Sequence, residues 1–169
     1  MSPNDAPAAP LATVFDRLVA LLTRESARFR VIEHVSEGRS EQIAKIRGNR
    51  PEQAAKAMVL QIRGDAPGHV LAILSGNRRI DFAAAAKAVG GRKASFAAAD
   101  EAQRLTSCAM GAVPPFTFDP ERLPLIVDPD LLQNDSLYFN AGRLDRSIEC
   151  ATADWLRIAR PAVHQIALP

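Results

Sequence analysis

Two apolar runs, KAMVLQIR (Lys56 to Arg63) and VLAILSG (Val70 to Gly76), constrain this chain more than anything else in it; the turn-forming GDAPGH lies between them. Two β-rich runs joined by a turn predict a hairpin. The second run is apolar on both of its faces. A strand of that kind must be central in its sheet and covered on both sides. The remaining elements have to be arranged around it.

Helical spacing of Val14, Phe15, Leu18, Leu21 and Leu22 predicts a first helix over Thr13 to Arg24. Thr13 is its expected N-cap, with Asp16 three residues on as a variant of the capping box. FRVIEH (Phe29 to His34) reads as a strand. Ser40 is the expected cap of a short helix through EQIAKI that Gly48 stops. Asp81 caps FAAAAKAVGG, KASFA reads as a short strand, and a helix comes next near ADEAQRL. LPLIVD, LYFNAG and RSIECAT read as strands. Thr152 is the expected cap of a last helix, ADWLRIAR, stopped by Pro161. Strands and helices alternate without a fixed period, and the length of 169 residues suits one core. The fold class is therefore α/β or α+β: one domain over 13–169 with a mixed, curved β-sheet, preceded by a flexible tail over 1–12.

The tail, MSPNDAPAAPLAT, has neither a basic n-region nor a long apolar stretch, so it is not a secretory signal. No segment reaches membrane-spanning length. Cys108 and Cys150 form no disulfide framework, which fits a reducing compartment; a cytoplasmic, soluble protein is expected. A net charge of +2 permits a polyanionic partner without requiring one. His34, His69 and His164 are scattered without metal-ligand spacing, so no metal is expected. A Gly-x-Ser-x-Gly elbow and a phosphate-cradling glycine loop are both missing from the sequence.

Four features remain as candidates for chemistry. In KAMVLQIR, positions 56, 58, 60 and 62 share a strand face, so Lys56 sits at the rim of the face carrying Met58, Leu60 and Ile62. A solvated strand-end lysine is the commoner case. In LTSCAMGAVPPF (Leu105 to Phe116), Gly111 permits close approach to the backbone, and Pro114 and Pro115 stiffen the end of the loop. The amides of Gly111, Ala112 and Val113 can polarise a carbonyl, though a plain rigid turn explains the same residues. Cys108 is a potential nucleophile, but without a basic neighbour in sequence it reads as a small buried side chain. The basic pairs Arg47/Arg50, Arg78/Arg79, Arg92/Lys93 and Arg143/Arg146 are solvated unless the fold gathers them into a phosphate-binding rim.

Taken in order, FRVIEH, IRG, AAKAMVL, VLAILSG, LTSCAMGAVPPF, LIVD and YFNAG resemble the YbaK family of aminoacyl-tRNA deacylases, relatives of the editing domain of bacterial prolyl-tRNA synthetases. The likeness spans Thr13 to Pro161 and is strongest to the free-standing YeaK-type trans-editing branch. It implies a barrel-like mixed sheet flanked by helices. It also implies metal-independent, cofactor-free hydrolysis of mischarged aminoacyl-tRNA, with Ser-tRNA and Thr-tRNA the expected substrates. An Ala-tRNA(Pro) deacylase of the same fold, or a non-catalytic module binding tRNA or a synthetase, is the alternative. The implied partners are the tRNA acceptor end and an aminoacyl-tRNA synthetase, with no DNA and no membrane. The family's functional lysine falls on Lys56, and its Gly-x-x-x-Pro loop on Gly111 to Pro115, which includes Ala112. His34, Arg47, Asp128, Asn140 and Gly142 match recurrent positions and are expected to bind substrate. Relatives often carry glycine at Ser107; if this serine lines the pocket, it alters which amino acid is accepted.

Overall fold

A computed structural model describes residues 12–65 and 68–169. The tail expected over 1–12 lies outside these apart from residue 12, as does the centre of the GDAPGH turn. The hairpin is present: β2 (Ala55–Arg63) and β3 (His69–Ser75) pair antiparallel, with Lys56 opposite Leu74 and Val59 opposite Leu71. β3 is central. Its neighbours are β2 and, in parallel, β5 (Leu125–Val127), giving a five-stranded sheet in the order β4-β2-β3-β5-β8; here β4 is Lys93–Phe96 and β8 is Ala162–Val163. A second sheet, β1-β7-β6, is antiparallel throughout and built from Phe29–Glu33, Arg146–Ala151 and Ser136–Asn140.

The alternation of β3 divides the core as its sequence requires. Leu71 and Ile73 enter a cluster with Leu18, Leu22, Phe139, Ile148 and Trp155. That cluster includes helix α1 (Val14–Arg24) and helix α5 (Thr152–Ala159). Val70, Ala72 and Leu74 enter the other cluster with Leu60, Ile62 and Ile166, covered by α3 (Phe82–Ala88) through Ala85 and Ala86. Each such fully buried Leu or Ile contributes about 1.5–3 kcal/mol relative to exposure.

Thr13 caps α1 with its full reciprocal bonding to Asp16, and Asp81 accepts from the Ala84 amide at the start of α3. Two other expected caps are corrected. Helix α2 (Ser40–Arg47) begins one residue earlier than Ser40 as cap would allow, on Arg39, without a side-chain cap bond. α5 begins on Ala151, because the Thr152 hydroxyl instead donates to the Asn134 carbonyl at 2.5 Å and ties the helix to the preceding turn. α4 spans Ala99–Thr106.

The barrel expectation is also corrected: the strands form two sheets joined at a corner. Ala54, whose carbonyl is taken by Gly76 on the β3 side, bridges Tyr138 of β6 on its other side. Further along that same edge, β4 pairs only with residues 60–63, and the Ala97 amide donates to the Val59 carbonyl. Between Ala54 and Val59 the edge of β2 has no ladder partner among the described residues. The loop containing Gly111 crosses there, and the strands diverge around it. The gap that prevents closure is where the site lies.

Candidate functional site

By the two-residue period of a strand, the N–H and C=O of Ala57 point the same way as those of Val59, into this gap. A cleft of about 70 Å³ opens there, lined by Gly38, Arg47, Ala57, Gly111, Tyr138 and Asn140, with Lys56 and Ser40 at its edge. The volume is little more than two waters' share of liquid, so only a small group fits inside.

Lys56 is half-buried and donates to the Arg78 carbonyl at 2.6 Å. Burial lowers its ammonium pKa below the usual lysine range, with the neighbouring Arg79 charge adding to the effect. The expected strand face is the observed one: Met58, Leu60 and Ile62 join the α3-side core, and Lys56 is at the rim. Arg47 reaches the cleft from the end of α2, where Gly48 in the left-handed region (φ 77°) closes the helix. Its guanidinium donates to Asn49 Oδ1 at 3.0 Å and to Ser147 Oγ at 3.3 Å. Burial lowers its pKa to about 10, which still leaves it charged at neutral pH. Among the described residues neither cation has a carboxylate partner, while most other arginines of the chain do. Half-buried cations left unpaired in a cleft are suited to an anionic ligand.

The loop is held from both sides. Asn140 Nδ2 donates to the Gly111 carbonyl at 2.7 Å and to the Glu37 carbonyl at 3.1 Å, joining the two loops that flank the cleft. The fully buried Ser147 hydroxyl donates to Asn140 Oδ1 at 3.0 Å and fixes that amide's orientation. His34 Nε2 lies 2.7 Å from the same hydroxyl. Ser147 was not among the residues expected from the sequence; its one signal there is a polar residue at a core-facing position of the RSIECA strand.

The geometry revises the reason for glycine at Gly111. Its φ is +84°, and a Cβ would lie 2.9 Å from Gly38 Cα and 3.0 Å from Gly38 O. It is the Gly38 backbone that approaches the Gly111 backbone, not open space for a ligand. The Ala112 amide is spent on the Ala109 carbonyl, and its own carbonyl accepts from the Gly142 amide. The amides of Gly111 and Val113 have no acceptor among the described residues. Pro115 is anchored outside the cleft, where its carbonyl accepts from Trp155 Nε1 at 2.9 Å. Gly142 (φ +79°) packs its backbone against Val14, which a Cβ would meet at 2.9 Å.

Of the expected residues, His34, Ala112, Pro115 and Gly142 do not line the cleft, and Asp128 and Ser107 do not line it either. Asp128 is buried, and its carboxylate accepts from the amides of Asp130, Ile166 and Ala167, tying the C-terminal segment to the sheet. Ser107 caps the end of α4 at φ 57° and lines a separate hollow with Arg17, Arg104 and Pro114. A left-handed conformation costs a non-glycine residue about 1–2 kcal/mol. Ser107→Gly relieves that strain and gives back part of it through a freer unfolded chain. The expected result is a gain of about 0.5–1 kcal/mol, read as a rise of roughly 1–4 °C in a thermal melt. An unchanged or lowered midpoint would contradict the presence of strain at this position.

The sequence profile of the aminoacyl-tRNA editing domain matches residues 34–158. Over 147 residues the chain is 46% identical to the multifunctional Ser/Thr-tRNA deacylase ProXp-y of Escherichia coli (strain K12), covering 86% of this chain and 87% of that protein. The protein of the same name from Escherichia coli O157:H7 gives the same figures. The solved structure of a candidate trans-editing enzyme for prolyl tRNA synthetase superposes with a TM-score of 0.79 over 95% of this chain and all of that one; at 24% identity, this likeness concerns the fold.

Proposed function

Because the chain belongs to the aminoacyl-tRNA editing domain family, we propose that it is a trans-editing deacylase that hydrolyses the ester of mischarged Ser-tRNA and Thr-tRNA. One observation carries the reading: two half-buried cations without carboxylate partners among the described residues, Lys56 and Arg47, line one small cleft together with Gly111 and Val113, whose amides have no acceptor among the described residues.

Each of those groups has a place in the reaction. The ester carbonyl of the amino acid enters the gap at the edge of β2. The Gly111 and Val113 amides receive the developing oxyanion, being fixed in place before the reaction begins. The Ala57 carbonyl accepts from the substrate's α-ammonium. Lys56 and Arg47 hold the phosphate of the terminal nucleotide. A water oxygen adds to the carbonyl carbon, the bond from that carbon to the ribose oxygen breaks, and the water's proton ends on the ribose oxygen. Among the described residues no side-chain carboxylate or histidine lines the cleft, so the neighbouring ribose hydroxyl of the substrate orients the water. An activated ester needs little beyond positioning and charge stabilisation. Asn140 and Tyr138 offer polar partners to a side-chain hydroxyl, and a small cleft favours small amino acids.

Arg39, Arg78 and Arg79 line a basic recess that shares Ser40 and Lys56 with the cleft, and this recess takes the phosphates preceding the terminal one. An aminoacyl-tRNA synthetase is the partner that would supply the mischarged substrate.

Ester loss from Ser-, Thr-, Ala- and Pro-charged tRNAs, measured for the native protein and Lys56→Ala, tests the assignment. Rapid loss of the Ser and Thr esters with the native protein alone is expected. Binding without ester loss would instead make this a non-catalytic tRNA module, and preferential loss of the Ala ester would move the substrate assignment. Cys108 supplies a further check. Burial raises its thiol pKa to about 11, and the thiol donates to the Thr106 carbonyl at 3.4 Å. Cys108→Ser is expected to retain most of the activity, whereas a thiol nucleophile would lose nearly all of it.

A further inference from the structure

A second cavity, of about 350 Å³, opens on the other side of the Gly111 loop. It shares Ala57, Gly111 and Val113 with the cleft, so the two are adjoining rooms of one opening. Its character is different. Met58, Val59, Ala102 and Cys108 form an apolar wall, and Gln103 supplies a side-chain amide. Two large apolar side chains stand at its rim although solvent reaches them: Phe96 is 59% exposed and Met110 is 78% exposed. Aromatic residues make up only 5% of this chain, so an aromatic ring left in water beside the cleft is a costly placement. The ring has an aromatic neighbour. Phe82 meets it edge-on, with the centroids 5.1 Å apart.

The identity of the occupant comes from covalent connectivity. If the ester lies at Gly111, then the ribose bearing it and the base on that ribose must occupy space directly adjoining the cleft. Among the described residues, two cavities share more than one lining residue with it. The recess of Arg39, Arg78 and Arg79 is basic and suits phosphate. The cavity at Phe96 has no cation in its lining and is walled by apolar atoms, so it suits a flat uncharged ring. We propose that this cavity is the subsite for the terminal adenine, with Phe96 and Met110 covering the ring faces and the Gln103 amide pairing with its hydrogen-bonding edge. An amide side chain offers the donor and acceptor that an adenine edge requires, and stacking on an aromatic ring supplies the affinity. The subsite binds the same base whichever tRNA carries it, so it anchors the end of the substrate and leaves selectivity to the amino-acid cleft.

This inference rests on the deacylase reading, and the two can fail separately. The kinetic test compares the native protein with Phe96→Ala and Met110→Ala on Ser-tRNA and on a synthetic seryl ester whose terminal ribose lacks a base. On Ser-tRNA each variant is expected to raise KM at least about fivefold with little change in kcat, the loss of one stacking contact. On the baseless ester the native protein and the variants should be alike. Unchanged KM on Ser-tRNA overturns the proposal. So does an equal defect on the baseless ester, which would mark this face as structural or as the seat of a protein partner. A second measurement needs no turnover: uncharged tRNA with 2-aminopurine as its last base should lose fluorescence on binding the native protein and keep it with Phe96→Ala. No change with the native protein also overturns the proposal. Failure of the native protein to cleave any charged tRNA would count against the deacylase reading, and the fluorescence measurement would still decide the base subsite.

Discussion

Lys56→Ala is expected to lower kcat/KM for Ser-tRNA deacylation by at least about 100-fold, as loss of a charged group in a water-poor site does, while the protein stays folded. For activity, the ammonium is one of two cations at the cleft without a carboxylate partner among the described residues, and Arg47, positioned by Asn49 and Ser147, contacts the phosphate from its own side and does not fill the place Lys56 leaves. For stability, the side chain makes one hydrogen bond, to the Arg78 carbonyl, worth about 0.5–1.5 kcal/mol net. The melting midpoint should therefore fall by no more than a few degrees. Lys56→Met should behave like the alanine variant, because it keeps the aliphatic stem and removes only the charge. Near-native turnover by either variant would remove Lys56 from the mechanism. There is a pH consequence as well. Burial holds the ammonium pKa below the ordinary 10.5, so the protonated, active form is lost as pH rises through that lowered value. The enzymatic rate, corrected for spontaneous ester hydrolysis, should therefore decline on the alkaline side; in Lys56→Met the part of that decline due to the ammonium should be missing, leaving only the loss of the Arg47 charge near pH 10.

Gly111→Ala is the second large effect, and here stability and activity fall together. The added methyl group carries two penalties. The backbone at φ +84° disfavours any L side chain by about 1–2 kcal/mol. The new Cβ would also lie 2.9 Å from Gly38 Cα, and that neighbour is backbone that cannot rotate away. The loop must move, and Asn140 ties it to the Glu37 carbonyl, so the whole flank of the cleft moves with it. A loss of about 2–4 kcal/mol is expected, within the range for strained and overpacked sites. A melt should record a drop of roughly 4–16 °C. At a temperature where the variant is fully folded, turnover should still be reduced by about 100-fold, since a displacement of an ångström is enough for that. A folded variant with native turnover would show that the Gly111 amide does not contact the reacting carbonyl.

Local elements were legible in the sequence because their signals are local. Thr13 and Asp16 announce the start of α1, and their bonds span three residues. The doubly apolar VLAILSG is a central strand because no other placement covers both of its faces. Lys56 and the Gly111 loop stand out from strand parity and from glycine and proline chemistry, and they do face one opening. Thr152 failed as a cap because its hydroxyl bonds the Asn134 carbonyl, and Ser40 failed because the helix starts on Arg39, whose amide and guanidinium are held by the Glu37 carboxylate. Asp128 is a different kind of miss. It was expected as a match to a recurrent family position, yet its carboxylate is taken by amides that include positions 166 and 167, a pairing that only the folded chain creates.

Residue order alone was enough to establish the order of the main helices and strands, though not the short edge strand β8, together with the central hairpin and the side chains available for chemistry, since periodicity and backbone restriction act within a few residues of each position. Long-range packing left β2 open between Ala54 and Val59, made Gly38 the neighbour requiring glycine at 111, and let Ser147 orient Asn140 from the adjacent strand. Those outcomes depend on where the two sheets part, and that point is set by contacts between segments far apart in the chain, such as the bond from Asn140 to the Glu37 carbonyl across 103 residues.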